Sequence, residues 1–372
     1  MTSQSTTDSE FLQRALSLAE GGRGRVSPNP LVGATIVRDG EVIGEGFHAE
    51  LGDLHAERAA LADCRERGED PSGATMYVTL EPCAHQGRQP PCVEAILEAG
   101  IGRVVIASDD PSEKAAGRGP GILRDGGVEV DFASGAEATA ARRLNQPFRK
   151  QASTGLPLVV LKLAMSLDGR TATPPGDSPW ISGPQSRELV HRWRAESDAI
   201  AVGIGTALAD DPLLTARPGA DGTEVPPYGG KSSRQPTRVV FDRGARLPRG
   251  SQLLATLDQS PVLVVTAPDA PADRIAGLGD AGAEVLVATS IESALRELGS
   301  RNLTSLFLEG GQTLASAFVA AGQIDECRTF IAPMLIGGSE NSEGAAARLV
   351  ALEQSATTVG DDLLVTARFK EW

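Results

Sequence analysis

Cysteine is scarce in this chain: four in 372 residues are too few for a disulfide framework, so the thiols are expected to stay reduced and to act singly. Positive charge is also in deficit. Against 49 Asp and Glu stand 35 Lys and Arg, a net charge of −14, and such a chain repels a polyanion unless a basic patch is set aside for it. Nucleic acid is therefore not expected as a partner. No run approaches the roughly 18 apolar residues of a membrane span, and Met1 to Glu10 lacks the basic and apolar regions of a secretory leader. A cytoplasmic protein without a membrane partner is expected. What is present, 41% hydrophobic and 23% charged residues over a length sufficient for two cores, suits two globular domains.

Residues 1–8 read as a flexible tail, with Asp8 or Ser9 capping a helix whose apolar face (Phe11, Leu12, Ala15, Leu16, Ala19) ends at Gly21-Gly22. Ser27-Pro28-Asn29-Pro30 is a rigid loop, because each proline fixes its own φ and restricts its predecessor. It holds Asn29, an amide able to bond in two directions or merely to satisfy a turn. Leu31 to Arg38 and Glu41 to Phe47 are expected strands around an Asp39-Gly40 hairpin turn. A helix over His55 to Arg67, a strand over Thr75 to Leu80 and a helix from Cys92 to Ala99 follow. Strands over Arg103 to Ser108 and Val128 to Phe132 and a helix over Ala136 to Phe148 complete an α/β sandwich of helix, sheet and helix.

The chemistry of this half lies in His55-Ala56-Glu57 and Thr79 to Cys92, TLEPCAHQGRQPPC. Two thiols, an imidazole and a carboxylate are the parts of a catalytic zinc site: His55, Cys83 and Cys92 as three ligands, with the fourth position open for water. Glu57 stays off the metal and moves protons. Inside a helix, His55 and Glu57 would not share a face, so they can converge only at its first turn, where the dipole favours an anion. Zinc deaminases usually separate their two cysteines by two residues, whereas eight separate Cys83 from Cys92. Either the second ligand is missing or a loop has been inserted between the ligands.

The second half begins after Lys150 to Pro157, whose composition is that of a linker over 151–157. Strands are expected over Leu158 to Ala164, Asp198 to Val202, Thr237 to Phe241, Pro261 to Thr266, Glu284 to Ala288 and Ser305 to Leu308. Helices are expected over Pro184 to Ala195, Ile291 to Leu298 and Gln312 to Ala321, and Pro218 to Gln235 reads as a mobile surface loop. Glu309-Gly310-Gly311, between a strand and a helix, could bring backbone N–H groups to a phosphate or form a simple turn. Gly203-x-Gly205 is not a dinucleotide fingerprint, since Leu208 stands where the third glycine belongs. His191 reads as a helix-surface histidine without a role, and Cys64 and Cys327 as core thiols.

PNPLVGATIV, HAE and LEPCAHQGRQPPC closely resemble the pyrimidine deaminase half of the bifunctional riboflavin-biosynthesis deaminase/reductases. LKLAMSLDGRTA, SPWISGP, GTALADDPLLTAR and LEGGQTLASAF resemble the reductase half of the same family. The resemblance implies a cytidine-deaminase-like three-layer α/β/α domain over 9–150 and a dihydrofolate-reductase-like α/β domain over 158–372. It makes the long loop between the thiols a substrate element, with Asn29, His48, His85 and Arg88 on a phosphorylated pyrimidine. NADPH would meet Ala164, Trp180, Thr206, Asp210 and Arg243, together with Gly311, Gln312, Thr313, Leu314, Ala315, Ser316 and Ala317. Ser178, Arg194, Leu214, Arg217 and Glu309 would meet substrate, the two arginines at its phosphate. Lys162 and Glu309 are the candidates for polarising or protonating the opened ribosyl carbon.

The activities implied are zinc-dependent removal of the 2-amino group from 2,5-diamino-6-ribosylamino-4(3H)-pyrimidinone 5′-phosphate, then NADPH-dependent reduction of the ribosylamino side chain. A homo-oligomer is expected. The alternatives are an enzyme keeping one of the two activities, a nucleic-acid or nucleotide deaminase with an accessory domain, and a non-catalytic zinc module. The last would want a fourth protein ligand and have no use for Glu57.

Overall fold

The structure, a computed structural model, describes residues 4–87, 89–113, 115, 117–172, 180–217, 234–337 and 348–372. The chain divides into two compact units, one containing Met1–Thr154 and the other beginning at Gly155.

In the first unit the strands are β1 (Gly33–Arg38), β2 (Glu41–Phe47), β3 (Thr75–Val78), β4 (Arg103–Ile106) and β5 (Glu129–Phe132). The helices are α1 (Gln4–Ala19), α2 (Ala56–Glu66), α3 (Cys92–Glu98), α4 (Arg118–Asp125), α5 (Ala136–Leu144) and α6 (Gln146–Thr154). Among the described residues the strands form one sheet in the order β2-β1-β3-β4-β5, with β1 antiparallel to both neighbours and β3, β4 and β5 parallel. The Asp39-Gly40 turn has both residues at positive φ, 51° and 82°, which matches the twist of a two-residue hairpin.

Strand alternation sorts the side chains into two cores. Ala34, Ile36, Met76, Val78, Val104 and Ile106 face α2, α3 and α4, while Val37, Tyr77 and Val105 face Phe11 and Leu12 of α1 and Ala141 of α5. This is a three-layer α/β/α unit. The backbone of α2 lies directly on β2: a Cβ on Gly44 would sit 2.6 Å from the Ala60 carbonyl, and one on Gly46 would sit 2.5 Å from the Ala60 nitrogen.

Two expected boundaries are corrected. Residues 4–8 are not a tail: the chain has no Gly or Pro there, and α1 starts at Gln4. Asp8 is not a cap but lies inside that helix, where its carboxylate accepts from the Arg103 guanidinium at 2.9 and 3.0 Å and from the Tyr77 hydroxyl at 2.6 Å. The expected helix over 136–148 is two helices, because Pro147 has no N–H to continue the ladder and the chain restarts at Gln146. α6 then takes up the first residues of the expected 151–157 linker, leaving 155–157 between the last helix and the next strand.

In the second unit the strands are β6 (Leu158–Ser166), β7 (Ala199–Gly203), β8 (Thr237–Phe241), β9 (Val262–Thr266), β10 (Glu284–Val287), β11 (Ser305–Leu308), β12 (Glu326–Ala332), β13 (Glu353–Val359) and β14 (Asp362–Arg368). The helices are α7 (Pro184–Glu196), α8 (Ile204–Asp210), α9 (Gln252–Ala255), α10 (Ala272–Asp280), α11 (Ile291–Ser300) and α12 (Gln312–Ala320). The sheet order among the described residues is β10-β9-β8-β7-β11-β6-β12-β14-β13, parallel up to β12 and closed by an antiparallel pair. Leu295, Leu298 and Phe318 cover one face; on the other, Trp193 of α7 stacks on Phe330 and meets Phe307 edge-on.

The chain runs outward from β7 to β10 and returns to insert β11 between β7 and β6. The strand order therefore reverses beside β11, and such a reversal opens a crevice at the carboxyl ends of the strands. Most of the loop expected over Pro218 to Gln235 lies outside the described residues. At its base the Gln235 side-chain amide bonds both the N–H and the C=O of Ala216, each at 2.9 Å.

Candidate functional site

The local sequence explains how three metal-type donors meet in the first unit. His55 is the N-cap of α2, in extended conformation, with no side-chain bond to the helix, so its ring can turn outward. Cys83 lies just past the end of β3, and Cys92 is the first residue of α3, after Pro90-Pro91. His55 Nδ1 is 3.5 Å from Cys83 Sγ and 3.4 Å from Cys92 Sγ, and all the ligand atoms of the trio lie within 4.8 Å of one another. The Cys92 backbone N–H at the start of α3 donates to Cys83 Sγ at 3.3 Å. Arg58 ties α2 to the same turn, donating to the carbonyls of Pro90 at 3.3 Å and Pro91 at 2.9 Å.

The Cys92 thiol, the His55 ring and the Cys92 N–H together draw Cys83 down to about 4, and the bond to Cys83, followed by burial, pushes the Cys92 thiol up. His55 is raised by its bond to Cys83. Glu57, in the first turn of α2 and almost fully buried, is pushed up to about 7, first by burial and then by Cys83. A buried carboxylate of that affinity can both take and give a proton at neutral pH. Two soft sulfurs and an imidazole nitrogen aimed at one point suit Zn²⁺, with three protein ligands rather than the four of a structural site.

Around this point stand the residues expected to read the substrate. Asn29 Nδ2 is 3.1 Å from His48 Nε2, and His48 Nδ1 is 3.0 Å from the Leu54 carbonyl. With the Asn29 NH2 group donating to Nε2 and the Leu54 carbonyl accepting from Nδ1, His48 carries its hydrogen on Nδ1 and is neutral; burial lowers its pKa, in agreement. The His48 and His55 rings meet edge to face at 5.4 Å. His85 is half-buried in the loop between the thiols, with a buried Nδ1 that has no partner among the described residues. Arg88 lies outside the described residues.

In the second unit the expected residues gather at the carboxyl ends of the central strands. Glu309 follows β11, and Arg194, on the last turn of α7, grips it with two parallel bonds, Nε to Oε1 at 2.6 Å and Nη2 to Oε2 at 2.9 Å. Burial pushes Glu309 upward, but Arg194, Lys162 and His191 outweigh it and hold the carboxyl below its usual range. Burial lowers Lys162, against the pull of Glu309. Arg194, expected at the substrate phosphate, has Nε and Nη2 on Glu309, and its Nη1 reaches the Thr215 carbonyl at 3.4 Å.

The expected surface placement of His191 is corrected. This histidine is half-buried one turn before Arg194, and its Nδ1 accepts the Arg217 backbone N–H at 3.3 Å. The three-residue spacing of His191 and Arg194 on one helix was the available signal. Arg217 is exposed, with Nη1 bonded to the Thr215 hydroxyl at 2.6 Å, and Leu214 before it is buried at a φ of 52°. Ser178 lies outside the described residues.

The starts of α8 and α12 face each other across the crevice, where the Gly311 N–H donates to Thr206 Oγ1 at 3.2 Å. A Cβ on Gly205 would meet nothing within 4 Å, and one on Gly311 would meet only that hydroxyl, so backbone N–H groups stand open to an anion there. Gln312 through Ala317 form the first turns of α12, Asp210 ends α8, and Ala164 lies on β6 opposite Phe330. Trp180 is 59% exposed, with the Arg187 guanidinium 5.0 Å above its ring. Arg243 is exposed in the turn after β8, which Asp242 ties down through the N–H groups of Arg246 and Leu247. These groups fit a phosphate-bearing, ring-containing cofactor.

Known proteins divide the chain in the same place. The family described as cytidine and deoxycytidylate deaminase zinc-binding region matches residues 5–108, and that described as RibD C-terminal domain matches residues 157–365. The chain is 41% identical over 348 residues to the riboflavin biosynthesis protein RibD of Haemophilus influenzae, covering 91% of this chain and 89% of that protein. It is 40% identical over 340 residues to the RibD of Escherichia coli, covering 89% of each. Among solved structures, Acinetobacter baumannii RibD superposes with a TM-score of 0.85 at 37% identity, covering 99% of this chain and all of that one. A Thermotoga maritima diaminohydroxyphosphoribosylaminopyrimidine deaminase/5-amino-6-(5-phosphoribosylamino)uracil reductase does so at 0.83 and 34%, with the same coverage.

Proposed function

Because the chain belongs to the RibD family of riboflavin biosynthesis proteins, we propose that its two halves act in succession on one phosphorylated pyrimidine. It is a bifunctional deaminase and reductase, and its cofactors are Zn²⁺ and NADPH. The first substrate is 2,5-diamino-6-ribosylamino-4(3H)-pyrimidinone 5′-phosphate. The observation that carries the reading is the convergence of His55, Cys83 and Cys92 with a buried Glu57 of raised pKa beside them.

His55, Cys83 and Cys92 would hold Zn²⁺, which when bound supplies the Lewis acidity that makes water nucleophilic at neutral pH. Glu57 takes a proton from the attacking water and delivers one to the departing 2-amino group, so that water enters and ammonia leaves. Asn29, held by the neutral His48, orients the pyrimidine, while His85 and Arg88 on the loop between the thiols meet the ring and its ribose phosphate.

In the second unit Gly311 to Ala317, Thr206, Asp210, Ala164, Trp180 and Arg243 would hold NADPH, which supplies a hydride. Reduction of the ring-opened imine would need that hydride at the ribosyl carbon and a proton at its nitrogen. Lys162 is the proton donor, made acidic by its burial. Glu309, fixed by Arg194, favours the charged form of Lys162 against its burial. Arg217 and Ser178 meet the phosphate side.

The protein is proposed to work in the cytoplasm without nucleic acid, which its net charge of −14 disfavours. No helix among the described residues is long and apolar enough to cross a membrane. Self-association is supported by Val350, Leu352 and Leu363, exposed at the antiparallel end of the second sheet. The test is incubation of the zinc-loaded protein with the diaminopyrimidine phosphate, with and without NADPH, resolving both products by mass. Deamination alone is expected without NADPH and both changes with it; the absence of both products would overturn the reading.

A further inference from the structure

The ladder between β1 and β3 stops one step before the deaminase site. Its register pairs Ala34 with Val78, and the next hydrogen-bonded pair is Gly33 with Thr79: the Thr79 N–H donates to the Gly33 carbonyl at 3.1 Å, and the Gly33 N–H reaches Thr79 Oγ1 at 3.1 Å. Hydrogen-bonded pairs recur every second residue in an antiparallel ladder, so the following pair would be Leu31 with Glu81. Glu81 is not there. Its N–H goes instead to the Ser108 carbonyl at 2.9 Å, as the chain after β3 turns toward β4 to deliver Cys83.

Both backbone groups of Leu31 would thus be left without partners, two residues from Asn29. Asn145, 2% exposed at the break between α5 and α6, fills the gap. The Leu31 N–H donates to Asn145 Oδ1 at 2.8 Å, and Asn145 Nδ2 donates to the Leu31 carbonyl at 2.8 Å. A carboxamide matches a peptide group in having one donor and one acceptor side by side, so it completes the ladder as a strand residue would.

We propose that Asn145 is a positioning residue of the deaminase half, its buried carboxamide replacing the strand that leaves β1 and so holding the Pro28-Asn29-Pro30 loop with Asn29 against His48. The proposal rests on the assignment of Asn29 to the pyrimidine. The bonds of the Asn145 carboxamide are to Leu31 of the first unit, and the reductase activity serves as an internal control. The nearest arginine along α6, Arg149, spends its guanidinium on Ser108 and Asp109 and does not replace the amide.

The test is Asn145→Asp in the full-length, zinc-loaded protein, assayed beside the wild type. An ionised carboxylate keeps the acceptor for the Leu31 N–H but repels the Leu31 carbonyl; a protonated carboxyl restores the donor and is isosteric with the amide. At a pH of about 8 the variant should show a deaminase KM raised about tenfold, with kcat, zinc content and reductase KM as in the wild type. The ratio of variant to wild-type KM should fall toward one as the pH is lowered to about 6, because burial raises the new carboxyl group's pKa. Asn145→Ala should show the raised KM at every pH. An unchanged KM, a ratio independent of pH in Asn145→Asp, or a parallel loss of reductase activity and zinc would overturn the proposal. Failure of the wild type to deaminate the substrate would instead overturn the assignment of function.

Discussion

The two catalytic clusters bury charge in opposite ways. In the first unit the Cys92 thiol and the His55 ring draw the Cys83 thiol down while burial pushes Glu57 up, so a thiol and a carboxyl are tuned by soft neighbours and an imidazole. In the second, Arg194 answers Glu309 with two short bonds and Lys162 stands in the same field as a second cation, so the buried carboxylate is compensated before any ligand arrives. The first gathers donor atoms that could share one ion, and the second fixes a buried carboxylate by a direct ion pair.

The comparison can be broken hardest at Glu57. Glu57→Gln should lower deaminase turnover by about 10²- to 10⁴-fold, while zinc content by atomic absorption and NADPH oxidation on deaminated substrate stay at wild-type values. Loss of zinc along with activity would make Glu57 a ligand and erase the distinction drawn between it and His55, Cys83 and Cys92.

Next in size is Glu309→Gln, which leaves Arg194 buried and unpaired and should cost about 3–5 kcal/mol in urea unfolding of the second unit, besides reductase activity. Pairing it with Arg194→Met should recover most of the stability and none of the reduction. If the double variant stays as unstable as the single one, the charges are not compensating one another.

A smaller effect is expected from pH. Glu309 titrates below its ordinary value, so its ionised form contributes stability that is present above the unfolded pKa of ~4.3 and lost as pH falls through the lower folded value. The urea midpoint of the second unit should drop between pH ~5 and ~3 in the wild type and less so in Glu309→Gln. The smallest effect is that of Arg58→Ala. Without its bonds to the Pro90 and Pro91 carbonyls, a net loss of about 1 kcal/mol, zinc should leave several-fold faster to a chelator with the reductase unaffected.

The same contrast explains what could be read from the chain. The metal cluster is legible because its residue types are rare: with four cysteines and four histidines, a His-x-Glu followed by two cysteines stands out, and helix starts at His55 and Cys92 say where they converge. Arg194 and Glu309 are 115 residues apart, among 35 cations and 49 anions, and nothing local marks them as partners. β13 is equally silent, since EQSATTV is exposed nearly throughout and shows no apolar alternation. The seven-residue α8 escapes for another reason, being too short for helical periodicity to declare itself. Asn145 escapes because an amide that replaces a strand leaves no pattern in its own neighbourhood.

Gly44 and Gly46 carry one more consequence. They lie behind α2, touch no reacting group, and yet set how closely the helix bearing Glu57 and following His55 can approach the sheet. Cys83 and Cys92 ride on a different strand and helix. A methyl group added at either glycine would therefore shift one half of the deaminase site bodily against the other with every chemical group intact. The spacing between donor atoms behaves as an adjustable dimension, set from the rear by two side chains that are not there.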